Sequence, residues 1–127
     1  MDTGVITLAS HYSVTETLNR LENSLRSKGA TIFARIDQKA EAEKAGLRMD
    51  PFELLIFGNP KAGTPLMTAQ PLCGIDLPLK ATAWQDREGN VSLSYNSFSY
   101  LQNRFQLSDE LMKPLSAIEG LLKAAVL

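Results

Sequence analysis

Six residues have side chains and spacing suited to holding or transforming a small polar molecule: Arg35, Asp37, Glu53, Asn59, Lys61 and Thr64. Arg35 and Asp37 lie two apart in the alternating stretch 31–37, so a strand would present guanidinium and carboxylate on one face. The same pair also suits a strand-edge ion pair, with Asp37 capping the helix that follows. Asn59, Lys61 and Thr64 surround Gly58 and Gly63 at the entry to an expected helix. Exposed amides and the positive end of a helix dipole there could hold a carboxylate or phosphate. A rigid turn and helix cap is the plainer reading. Glu53 and Asp76 sit among apolar neighbours, a setting in which a carboxylate can serve as general acid or base.

Several chemistries are excluded or disfavoured. Gly-Asn-Pro-Lys-Ala-Gly-Thr lacks the Gly-Lys-Ser/Thr ending of a phosphate-binding loop. Ser-His-Asp, dinucleotide and metal-ligand spacings are absent, so neither metal nor cofactor is expected. His11, the single histidine, precedes a helix cap and reads as a solvent-facing or capping imidazole. Cys73 is the only cysteine, which rules out an intrachain disulfide and, with one histidine, a Cys/His zinc site. It reads as a small buried hydrophobe in a reducing, cytoplasmic compartment. Met67 and Trp84 read as core or dimer contacts. The 13 basic and 14 acidic residues leave a net charge of −1, which argues against nucleic acid or an anionic membrane as partner. No stretch approaches the ~20 apolar residues that span a bilayer, and the N-terminus does not read as a signal peptide.

The segment that must position these groups is Leu54 to Pro78. It holds Pro60, Pro65, Pro71 and Pro78 of the 6 prolines, interleaved with Gly58, Gly63 and Gly74. Its apolar Leu66, Met67, Leu72 and Ile75 suggest a shaped, partly buried connection. Around it, residues 5–8 read as a first strand. Ser13 to Glu16 forms a capping box, and Val14, Leu18, Leu21 and Leu25 follow at helical spacing until Gly29. In the strand at 31–37, Ile32, Ala34 and Ile36 are expected on one face and Phe33, Arg35 and Asp37 on the other. A short helix at 38–45 and a strand at 52–57, apolar on both faces, come next. Thr64 is expected to cap a helix with Pro65 in its first position. A hairpin about residues 86–90, a short helix near Tyr100 and a main C-terminal helix from about Pro114 complete the order. This order predicts a single α+β domain, 1–127, built as a two-layer sandwich.

Phe33-Ala-Arg35-Ile-Asp37, Leu54-Leu-Ile-Phe-Gly-Asn-Pro60, Gly63-Thr-Pro-Leu-Met67 and Gly74-Ile-Asp-Leu-Pro-Leu79 resemble the domain of unknown function 302 family. Trp84, Ser94-Tyr-Asn96 and Tyr100-Leu101 look similar too, so the resemblance covers about residues 4–106 and leaves a C-terminal helix, about 114–126, outside it. The resemblance implies a bacterial or archaeal domain with a mostly antiparallel, curved sheet, helices on one face and a TATA-binding-protein-like topology. It also implies homodimers, and it implies no activity. The resemblance implies a pattern in which members often carry a histidine directly after Arg-Ile-Asp and another after the arginine that follows Tyr-Leu. Here those positions are Gln38 and Phe105, so acid–base chemistry or metal or haem ligation through those imidazoles could not operate in this chain.

Three functions fit these residues. The leading one is a homodimeric module binding a small, anionic ligand through Arg35, Asn59, Lys61 and Thr64. The second is an enzyme with Glu53 or Asp37 as general base and Arg35 as electrostatic stabiliser. The third, a protein- or nucleic-acid-interaction module, rests on the expected topology alone.

Overall fold

The computed structural model describes residues 3–127. Strand β1 (Val5–Ser10) leads to helix α1 (Val14–Ser27), whose start is fixed by Ser13 Oγ accepting from the Glu16 amide at 3.0 Å. Val14, Leu18, Leu21 and Leu25 are all buried, so α1 lays one apolar stripe against the sheet. Burying each such side chain contributes roughly 2 kcal/mol. Gly29, at φ +82°, turns the chain out of the helix through the left-handed region that favours glycine.

Strand β2 (Thr31–Asp37) runs into helix α2 (Gln38–Lys44), and Asp37 Oδ1 caps it by accepting from the Ala40 amide at 2.9 Å. Strand β3 (Phe52–Gly58) passes straight into helix α3 (Pro60–Ala69), followed by a 3₁₀ turn at Pro71–Ile75. Strands β4 (Leu79–Gln85) and β5 (Val91–Asn96) form the expected hairpin. Asp86 Oδ1 holds its turn by accepting from the Glu88 and Asn90 amides at 2.9 Å each. Helices α4 (Phe98–Phe105), α5 (Asp109–Met112) and α6 (Ser116–Ala125) finish the chain, with a 3₁₀ turn at Lys113–Leu115 breaking the last two apart at Pro114.

The five strands form one sheet in the order β1-β5-β4-β3-β2, antiparallel at every pairing. Cross-strand rows share a face. Ile6, Tyr95, Ala81 and Leu55 make one row beneath α1, and Leu8, Leu93, Ala83 and Glu53 make the next. Glu53 is thus a charged residue set in a row otherwise apolar. The opposite face carries Phe52, Leu54, Ile56 and Trp84, all half-buried. There the Trp84 indole N–H donates to Ser94 Oγ at 3.0 Å.

Two expectations are corrected. A β-bulge between Ile32 and Ala34 shifts the register of β2, so Ile32 pairs with Phe57 while Ala34 pairs with Ile56. Ile32 therefore shares the helix-covered face with Arg35 and Asp37, and Ala34 and Ile36 go to the other. Phe33, the extra residue, is left half-exposed. The third helix also begins five residues earlier than the Thr64-Pro65 signal indicates. Asn59 is its cap, Pro60 its first residue, and Pro65 lies inside it. Asn59 prevails because both its side chain and its carbonyl reach the first-turn amides, which Thr64, already within the helix, cannot do.

Candidate functional site

The six candidate residues fall into two separate groups. Arg35, Asp37 and Glu53 lie where β2 and β3 meet α1. Arg35 Nε donates to Glu53 Oε1 at 3.0 Å, and its two terminal nitrogens donate to Asn19 Oδ1 at 2.7 Å and to the Thr15 carbonyl at 3.0 Å. Glu22 Oε1 stands 3.4 Å from Arg35 as well. Thr15 Oγ1 donates to the other Glu53 oxygen at 2.6 Å. All three guanidinium nitrogens and both carboxylate oxygens thus have protein partners, an arrangement that pins α1 to the sheet. Asp37 is occupied by the α2 cap. Asp76 also has a partner, Arg104, whose Nη1 lies 2.8 Å from its Oδ2 and ties the 3₁₀ turn to α4.

Asn59, Lys61 and Thr64 form the second group, at the turn from β3 into α3. Asn59 Oδ1 accepts from the Lys61 amide at 2.9 Å, and the Asn59 carbonyl accepts from the Ala62 and Gly63 amides at 2.8 Å each. Pro60 has no amide to offer. The first turn of α3 therefore keeps no free N–H for an anion, and any anion here must be held by side chains.

Two concavities flank this turn. A pocket of about 150 Å³ has Asn59 and Thr64 in its lining together with Phe33, Met67, Leu79 and Leu115. On the other side, a groove of about 360 Å³ runs between the C-terminus of α1, the start of α3 and α6. Lys28, Asn59 and Lys61 line the groove with the apolar Leu25, Ala62, Ile118 and Leu121. Neither concavity has Arg35, Asp37 or Glu53 in its lining. Lys28 joins the site as a residue that sequence reasoning passed over, because a lysine beside a helix-ending glycine reads only as a favourable charge at the dipole's negative end.

The remaining groups with chemical potential are structural. Burial pushes the Cys73 thiol up, away from the thiolate form. Burial, with Glu119 as hydrogen-bond partner at 3.1 Å, pushes Tyr95 up to about 12. Among the described residues no three His, Cys, Asp or Glu side chains cluster as metal ligands, and no helix is long and apolar enough to cross a membrane.

The fold and the turn together define an antiparallel α+β domain whose two concavities beside Asn59 are lined largely by apolar side chains. The chain belongs to the family described as domain of unknown function DUF302, whose model matches residues 6–125. A solved structure titled as an uncharacterized conserved protein DUF302 from Bacillus stearothermophilus shares the fold, with a TM-score of 0.79 at 22% identity over 98% of this chain and 97% of that one. Curated relatives are longer proteins. One from Brucella suis biovar 1 (strain 1330), named fluoride-specific ion channel FluC 1, is 43% identical over 107 residues, which is 84% of this chain and 42% of that protein. The protein named fluoride-specific ion channel FluC 2 from Brucella melitensis biotype 1 matches at 43% over 40% of its length. The chain spans about two fifths of the curated relatives it matches.

Proposed function

We propose that this chain is a non-enzymatic binding module, acting as a homodimer, for a small organic anion with an apolar body. The groove beside Asn59 carries the reading. Lys28 and Lys61 make no ion pair among the described residues, and they border a concavity whose other walls are aliphatic. Ammonium groups on the rim attract a carboxylate while the walls take up hydrocarbon. A second copy would cover the half-buried Phe52, Leu54 and Ile56 on the open face of the sheet. The lone, buried Cys73 suits a reducing compartment such as the cytoplasm. The enzyme reading is weaker, because Glu53 and Asp37, its candidate bases, already accept hydrogen bonds within the protein.

Native mass spectrometry on gently purified protein tests the proposal. The expected spectrum is a dimer carrying extra mass that leaves on denaturation, with the released compound bearing an acidic group. A bare monomer, or a released compound without an acidic group, would sink it.

A second reading comes from the relatives named as fluoride channels. Under it, this chain is an accessory domain that acts beside an anion channel in the membrane. Support is the 43% identity to a part of those proteins. Adding this chain to vesicles that hold a fluoride channel, with efflux followed by fluoride electrode, should then change the rate. An unchanged rate would count against it.

A further inference from the structure

The pocket on the far side of Asn59 from the groove has a distinct character. Its lining includes the buried Leu79 and Leu115, and the more exposed Phe33 and Met67 also line it. Gly58 and Gly63 line it too, and neither glycine is required by its backbone, since neither has positive φ. Nor is either required by its neighbours. A Cβ on Gly58 would stand 3.7 Å from Phe33 Cε2, and one on Gly63 would stand 3.8 Å from Met67 Cε, both ordinary contacts. Gly63 lies within α3, where glycine weakens a helix relative to alanine. What the two missing side chains leave is open volume. The bulge at Phe33 adds to it by setting an aromatic ring beside the pocket rather than in the sheet's regular alternation.

We propose that this pocket binds one neutral molecule the size of a single aromatic or alicyclic ring. Its volume, about 150 Å³, is that of an apolar cavity that accepts benzene. The lining supplies aliphatic, aromatic and thioether surface, and the charged residues at the Asn59 turn belong to the groove instead. An aromatic ring seated there would lie against Phe33 and the polarizable Met67 side chain, covering apolar surface that otherwise faces water. The pocket shares only Asn59 with the groove, so a change at Gly63 or Met67 acts on the pocket and one at Lys28 or Lys61 on the groove.

The test is a toluene titration of protein labelled with ¹³C at the methionine methyls. The Met67 methyl should shift saturably through the ring current, while that of Met49, remote from the pocket, stays in place. Gly63→Leu, which fills the pocket with a better helix former, should abolish the saturable shift. Gly63→Ala should weaken it several-fold. A Met67 methyl that fails to move up to the solubility limit of toluene would overturn the proposal. So would a dispersed, folded Gly63→Ala or Gly63→Leu spectrum that titrates like the unchanged protein.

Discussion

Arg35 Nε stands 3.0 Å from Glu53 Oε1, two strands joined by a charge pair under the first helix. Arg35 is opposite Leu55 and Glu53 is opposite Asp37, so the two side chains meet on the diagonal of the β2–β3 ladder. Thr15 closes the triangle from α1, donating to Glu53 and accepting from Arg35. A carboxylate in an apolar row is tolerable only with both oxygens partnered, which this geometry provides.

Arg35→Ala should therefore act on stability. With side-chain exposures of 23% for Arg35 and 11% for Glu53, the loss is expected at roughly 2–4 kcal/mol. Urea unfolding measures it. The variant should still bind ligand in the groove under conditions where it is folded, and a stable Arg35→Ala that no longer binds would return Arg35 to the ligand site.

Tyr95 links the sheet to α6 and gives a defined pH dependence. Its folded value, about 12, lies above the ordinary 10.0 because of burial first and the Glu119 hydrogen bond second. Between those values the unfolded chain releases a proton that the native protein retains, so stability falls as pH rises. The contribution is complete below about pH 10 and is lost through about pH 12, on the order of 2–3 kcal/mol in all. Denaturant midpoints across this window should decline less in Tyr95→Phe than in the unchanged protein. Parallel declines would remove Tyr95 as the cause.

Much of this architecture is legible in the residues, and the failures are instructive. Helix α1 is read correctly because its cap, its apolar spacing and Gly29 all agree. The faces of β2 are misread because the bulge at Phe33 has no glycine to announce it, and one inserted residue reverses every side chain on one side of it. The start of α3 is misread at Thr64-Pro65 because Asn59-Pro60, directly after the end of β3 at Gly58, caps the helix first. Arg35 and Glu53 are each noticeable in the sequence, yet their pairing depends on strand register. Lys28 and Lys61 are drawn to one groove by the packing of α6, whose position no local pattern encodes.

Arg20 should prove necessary for holding α6. Its Nε donates to the Ala125 carbonyl at 3.0 Å, its Nη2 to the Ala124 carbonyl at 3.4 Å, and its guanidinium carbon lies 4.1 Å from the centre of the Tyr12 ring. It thus satisfies the Ala125 carbonyl at the helix C-terminus and adds a side-chain donor to the Ala124 carbonyl, which also accepts from the Leu127 amide. Arg20→Ala is expected to cost about 1–2 kcal/mol and to speed amide exchange in the last turn of α6 more than in the sheet. Uniform exchange across both would contradict a local role.

The groove is tested most directly by comparing octanoate with octanol, which share a hydrocarbon chain and differ in charge. Calorimetric titration should give saturable octanoate binding that weakens at least tenfold in the Lys28→Ala/Lys61→Ala double variant and falls with added salt, as expected for exposed ammonium groups. Octanol should bind more weakly and be indifferent to both changes. Equal affinities for the two compounds, or octanoate binding that ignores the lysines, would contradict the account of this chain as a module for organic anions.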